Sequence, residues 1–396
     1  MPTGPTHLFI PGPTNVPEAV RRAINVPMQD HRAPDFPELT RSIFEDLKTV
    51  FANSTGRVFL YPSSGTGAWE AAISNTLRRG DRVLMARFGQ FSHLWVDMAQ
   101  RLGLDVVCLD VPWGEGVPLD QYAECLAADP SIRGVFVTHN ETSTGVTSDV
   151  LAVRRAMDAA GSDALLFVDG VSSVASIDFQ QDAWGVDLAV SGSQKGFMMP
   201  PGLAFLSVSQ RALEAHAALG EDGMNRCYFS FADMEATNDN GYFPYTPPTP
   251  LLHGLRAALD LLLAEGLPQV YARHHRLAEG VRHGVAALGL ELCATDPVWE
   301  SDTVTAIRVP DHVDSGEVVR IAYERYRTSF GGGLSKVAGQ VFRIGHLGDC
   351  NEVMCLTALA AAEISLNDAG AKVELGAGVG AAQGFFSESL ANEELR

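Results

Sequence analysis

The stretch SGSQKGFMMPPG, residues 191–202, holds a single cation, Lys195, among small and flexible residues. It separates VDLAV (186–190) from LAFLSVS (203–209), two apolar runs with the β-branched content of buried strands. Most lysines in such turns are simply solvated. An amine at the end of a buried strand is also what a carbonyl cofactor needs, because partial desolvation keeps the free base accessible. Upstream, LLFVDGVSS ends a wholly apolar run on Asp169. A carboxylate there needs a partner, since burying an unpaired charge is costly. An N-cap or loop role fits it, and so does an anion that keeps a pyridine nitrogen protonated.

Two further stretches complete the set. SSGTGAWEAA, residues 63–72, is a small-residue turn opening a helix, and its N–H groups and dipole end suit a phosphate. A plain structural turn accounts for it equally. It is not a P-loop, because no lysine follows the glycines, and it is not the G-x-G-x-x-G of a dinucleotide site. VFRIGHLG places Arg343 in an apolar run, where a guanidinium suits either bidentate binding of a substrate carboxylate or a structural salt bridge. Phosphate turn, ring-nitrogen carboxylate, Schiff-base lysine and carboxylate clamp together point to pyridoxal phosphate. Their order and placement carry that reading.

The elements that must position these residues are legible from about residue 57 onward, where short apolar runs alternate with helical patterns. That alternation predicts an α/β fold with a mainly parallel sheet covered on both faces. The four stretches fall just after apolar runs, at the carboxyl ends of strands, where ligands collect in such sheets. FPYTPPTP (243–250) breaks the pattern, and an apolar helix follows it. From about residue 267 the texture changes to that of a smaller α+β domain. The expected division is an N-terminal segment 1–15 near the active site, a large cofactor-binding domain 16–265, and a small C-terminal domain 266–396. The Gly/Ala-rich tail from about Gly370 reads as peripheral.

Composition narrows the function. At 396 residues the chain exceeds one usual core, and 46% hydrophobic content with 38 glycines and 21 prolines is ordinary for a globular enzyme. A net charge of −19 argues against nucleic acid or an anionic membrane as main partner. The six cysteines are scattered without a C-x-x-C pair, which fits reduced thiols better than disulfides or zinc. The start of the sequence shows no secretory signal pattern, so a cytoplasmic location is expected. His274 and His275 are adjacent, point to different helix faces and read as surface or structural rather than metal-ligating.

PGPTNVP, SGTGAWE, THNETSTG, FVDGVSS, GSQKGFMMPPG, YTPP and RIGHLG together resemble the class V, fold-type I pyridoxal-phosphate aminotransferases, and within them the glyoxylate aminotransferases. The resemblance covers nearly the whole chain; SGSQKG followed by PPG is its most specific part. It implies a seven-stranded large-domain sheet and a site shared across a homodimer. Lys195 would bond the cofactor aldehyde and move the α-proton, while Asp169 would pair with the ring nitrogen. Ser64, Gly65, Thr66 and Gly67 would surround the phosphate, with Gln194 bordering it. Thr142 would hydrogen-bond the phenolic oxygen, and Phe88 would stack on the ring where the family often has tryptophan. Thr246, with Tyr245 or Phe243, would come from the neighbouring subunit. Gly12 and Arg343 would bind substrate, Arg343 through its α-carboxylate.

The activity implied is ping-pong transfer from a small L-amino acid to glyoxylate, giving glycine and a 2-oxo acid. Aspartate, serine and alanine are the donors weighed. The poorly matching segment EDGMNRCYFSFADME tips the reading toward aspartate, with Arg32 and Arg226 as candidates for its side-chain carboxylate. Rival readings are weaker. A cysteine desulfurase needs a loop cysteine that TSFGGGLSK lacks, although Cys350 is not far along the chain. A phosphoserine aminotransferase should show a basic cluster, and a dehydrogenase its glycine fingerprint. A catalytically idle cofactor-binding protein has no reason to keep lysine, aspartate and arginine together.

Overall fold

The computed structural model describes residues 4–393. A seven-stranded sheet runs, in spatial order, Arg57–Tyr61, Ala204–Val208, Leu188–Gly192, Leu165–Asp169, Ile132–Thr138, Arg82–Arg87 and Asp105–Asp110. Ala204–Val208 is antiparallel to both neighbours, and the other pairings are parallel. All five residues of Leu165–Asp169 and of Leu188–Gly192 are buried, as continuous apolar runs covered on both faces must be. Register places Asp169 beside Thr138 on one side and Val190 on the other. The turn that carries Lys195 leaves the sheet two residues after Val190, so Asp169 and Lys195 share one edge.

A four-stranded sheet follows the order His7–Phe9, Thr328–Gly332, Val341–Gly345 and Val304–Arg308. Its first strand comes from the N-terminal segment and pairs in parallel with Thr328–Phe330. Arg343 sits at the centre of Val341–Gly345, in register with Ala306 on one side and Gly331 on the other. Hydrophobic burial gathers into two main clusters. One spans Val20 to Val270; the other joins Phe9 to side chains from Leu277 onward. The chain passes between them at Gly266, whose φ of 87° joins the helix Thr249–Glu265 to the helix Leu267–Ala287.

The stretch expected to be a peripheral tail carries a helix. Its helix Ala377–Glu393 packs along Leu267–Ala287, burying Ala382 and Phe386. Gly280 and Gly284 make that approach possible: a Cβ on Gly280 would stand 2.1 Å from the Phe386 ring. The Glu363 carboxylate receives the Gly376 and Val379 N–H groups at 2.6 and 2.9 Å, fixing the start of the helix. A Gly/Ala-rich composition hid this, because small residues here serve close helix packing rather than looseness. Among the described residues no helix is long and apolar enough to cross a membrane.

Candidate active site

The helix Gly65–Thr76 begins where the strand Arg57–Tyr61 ends, and Ser64 at its N-cap makes no side-chain capping bond. Its first turn opens onto a cavity of about 310 Å³, within the usual range for a small-ligand site. Ser64, Gly65 and Thr66 line one end; Thr142, Asp169, Gln194, Lys195 and Gly12 line the rest. Loops from both sheets therefore meet at the carboxyl ends of the parallel strands. A larger depression of about 970 Å³ lies at the opposite strand ends. It is open, and its arginines are already paired, Arg154 with Asp158 and Arg211 with Asp187, so the chemistry belongs to the smaller cavity.

Lys195 is half-buried, and its amine donates to the Pro11 carbonyl. Gly12, at φ 114°, lets the backbone pass against this side chain: a Cβ there would meet Lys195 Cδ at 2.5 Å and Nζ at 2.6 Å. Thr14 fastens the turn, its N–H donating to the Gln194 carbonyl at 3.1 Å and its hydroxyl to the Lys195 carbonyl at 3.2 Å. Burial lowers the Lys195 pKa to about 8, with the Arg343 charge adding to the effect and Asp169 opposing it. Burial likewise pushes Asp169 up to about 7, against the hydrogen bond its carboxylate accepts from Val171 N–H at 3.0 Å. Both groups thus titrate near neutrality, as acid–base chemistry requires.

Arg343 is buried and points its guanidinium at main chain. Nε and Nη2 donate to the Gly332 carbonyl at 3.1 and 2.8 Å, and Nη1 to the Thr142 carbonyl at 2.9 Å. One N–H on each terminal nitrogen is left, the pair a carboxylate takes bidentately. Burial lowers its pKa to about 10, opposed by Glu141, so it is a cation at neutral pH.

Other expected residues fall differently. Gly67 does not line the cavity; it is inside the helix, where a Cβ would strike Ser63 Oγ at 2.1 Å. Phe88 is buried in the large core, and Phe91, three residues later, lines the cavity instead. The reason is the start of the helix Gln90–Arg101: the Ser92 hydroxyl accepts the Phe88 N–H, turning that residue toward the core. Tyr245 donates its hydroxyl to the Tyr228 carbonyl, Thr246 is exposed, and Phe243 is buried; none lines this chain's cavity. Arg32 is exposed, while Arg226 donates to the Ser74 and Met224 carbonyls. Cys350 is buried beside Cys355 with sulfurs 3.8 Å apart. His274 is structural, Nδ1 on the Val270 carbonyl and Nε2 receiving the Gly348 N–H.

Four residues that the sequence reading passed over shape the site. Trp69 and Phe91 form apolar wall. Asn140 bonds Ser172 Oγ at 2.8 Å and Thr303 Oγ1 at 2.9 Å, tying a cavity residue to the other sheet's loop. The fully buried Glu141 accepts from Phe91 and Ser92 N–H at 3.0 and 2.9 Å and from the Ser143 hydroxyl at 2.7 Å. THNETSTG carried the signal, since a buried Asn-Glu pair must be fully bonded.

The residues present fit pyridoxal phosphate. The uncapped first turn at Ser64 meets a phosphate's need for N–H donors. Gln194 lines the same cavity, which the amine and the carboxylate share.

Comparison with known proteins identifies the family. The aminotransferase class-V family matches residues 7–325. A serine–glyoxylate aminotransferase from Hyphomicrobium methylovorum is 61% identical over 386 residues, covering 97% of this chain and 95% of that one. An L-aspartate–glyoxylate aminotransferase from Paracoccus denitrificans is 52% identical over 391 residues, covering 98% of both. Among solved structures, the pyridoxamine–pyruvate aminotransferase of Mesorhizobium loti superposes with a TM-score of 0.91 at 29% identity, covering 98% of each chain. By site, fold and sequence alike, the chain belongs to the class-V aminotransferases, pyridoxal-phosphate enzymes of fold type I.

Proposed function

We propose that this enzyme moves an amino group from L-serine to glyoxylate, giving glycine and hydroxypyruvate in two half-reactions. The relatives named for glyoxylate support the acceptor. The observation that carries the donor is the cavity's cation content: among the described residues Lys195 is the one cation on the wall, with Arg343 bonded to Thr142 at its edge. One arginine serves one carboxylate, the α-carboxylate shared by donor and acceptor. Aspartate brings a second carboxylate, for which this chain's own wall offers no second cation. Neither Arg32 nor Arg226 lines this chain's cavity, which favours serine over the aspartate that the sequence leaned toward. Serine's hydroxyl needs no countercharge.

Bound pyridoxal phosphate supplies an electron sink for negative charge at the substrate Cα. The chain's own residues do the rest. Lys195 would hold the cofactor aldehyde and, as a free amine, would carry the proton off the substrate Cα. A pKa near 8 suits both tasks. Asp169 holds the ring nitrogen protonated. Ser64, Gly65, Thr66 and Gln194 hold the phosphate, Thr142 the phenolic oxygen, and Gly12 and Arg343 the substrate. Thr246 and Tyr245 act across a homodimer interface. Gly67 acts through backbone shape alone.

The test is glycine formation from glyoxylate with serine, aspartate and alanine supplied side by side. Serine is expected to give the highest kcat/KM. A tenfold preference for aspartate overturns the donor assignment, and absence of glycine with all three overturns the acceptor.

A further inference from the structure

The Trp69 side chain is 3% exposed, and its indole Nε1 is buried with no hydrogen-bond partner. Buried indole N–H groups nearly always find an acceptor. Trp69 and Asp169 line the same cavity. The Asp169 carboxylate receives one hydrogen bond among the described residues, from Val171 N–H to Oδ1, so it retains acceptor capacity. An orphaned donor and an under-used acceptor belong to two residues lining one cavity.

The indole is not free to turn elsewhere. It stacks on Trp95, with ring centroids 5.5 Å apart and planes at 19°. Trp95 meets Phe136 edge-on at 4.9 Å, and Phe136 stacks on Phe167 at 4.3 Å with planes 3° apart. Phe167 lies two residues before Asp169 on the same strand. The ring stack therefore references the indole to the strand that carries the carboxylate. Trp69 is also the fifth residue of the helix whose first turn faces the phosphate end of the cavity. One rigid helix sets both distances.

We propose that the Trp69 indole N–H is the second donor to the Asp169 carboxylate, a positioning residue that holds this anion square to the cofactor's ring nitrogen. The proposal rests on the reading that Asp169 faces that nitrogen. Trp69 acts on Asp169 in the sense of a donated hydrogen bond, favouring the charged form against burial and Glu141. The other groups bearing on this carboxyl are Lys195 and the Val171 N–H. Among the described residues no competing acceptor holds Nε1.

The first test uses the cofactor-free native protein and needs no variant that must refold differently. The indole ¹H–¹⁵N resonance of Trp69, assigned with Trp69→Phe, should move with pH along the titration of Asp169. It should lose that dependence in Asp169→Asn. An indole resonance that ignores pH overturns the proposal. Trp69→Phe keeps the ring stack and removes only the donor. Titrating cofactor-free protein with pyridoxal phosphate should then show about tenfold weaker binding, the scale of one hydrogen bond to a charged group. In the Asp169→Asn background, where the acceptor is a neutral amide oxygen, Trp69→Phe should cost clearly less. An equal loss in both backgrounds assigns Trp69 to packing and also overturns the proposal. If native protein takes up no pyridoxal phosphate, the cofactor role of Asp169 fails, while the indole resonance still decides the contact.

Discussion

At the scale of residues, two shifted ionisations carry the proposed chemistry. Lys195 and Asp169 are displaced toward each other by the same burial, one down to about 8 and the other up to about 7. Replacing Lys195 by alanine should lower glycine formation by about 10³-fold or more, and borohydride should no longer fix a pyridoxyl group to the chain by mass spectrometry. Stability should respond to Asp169 in the opposite sense to most carboxylates. Its folded pKa is raised, so the unfolded chain releases the proton first as pH climbs from its ordinary value of 3.8 toward about 7. Folding stability of the cofactor-free protein is therefore lost across that window. Asp169→Asn should melt near the native temperature at about pH 4 and above it at about pH 8. A variant that melts lower at the alkaline end would refute the buried-charge cost. Arg343→Ala should raise KM for serine and glyoxylate alike, by about tenfold or more, since it removes the shared carboxylate contact.

Among the elements, the start of the helix Gln90–Arg101 depends on a carboxylate from another strand. Glu141 receives two of its first-turn N–H groups and the Ser143 hydroxyl while wholly buried. Glu141→Ala should cost about 2 kcal/mol or more in denaturant unfolding, because a cap and buried hydrogen bonds are lost together. The same loss frees Phe91 from the cavity wall. This element also explains how far the sequence could be read. Strand ends at Asp169 and before Lys195 announce themselves locally, through apolar runs that stop at a charge. Phe88 and Phe91 are both aromatic and three residues apart, and nothing local says which faces the ligand. Ser92 and Glu141 decide that, and Glu141 lies 49 residues from Ser92 in the chain.

Over the whole molecule, the cavity closes only because two sheets meet. The N-terminal segment adds the strand His7–Phe9 to the smaller sheet and then runs Pro11 and Gly12 past the amine of Lys195. Arg343 arrives from the same smaller sheet and bonds Thr142 of the larger unit. The exposed Thr246 belongs to this scale, since its proposed role needs a second subunit. Thr246→Ala should weaken cofactor binding several-fold while leaving the melting of the cofactor-free protein unchanged, and sedimentation should report a dimer. A monomer with full cofactor affinity would remove the shared site.

What the sequence determined by itself is the chemical set: an amine, a carboxylate and a small-residue turn at strand ends of an α/β sheet. Those are local patterns, set by burial period and by the cost of stranding a charge after an apolar run. Tertiary structure alone decided the walls. The Trp69 indole, the Phe91 ring, the Glu141 cap and the packed tail helix depend on contacts between residues distant in the chain. Side-chain direction and packing select among chemically similar residues only once the elements are assembled.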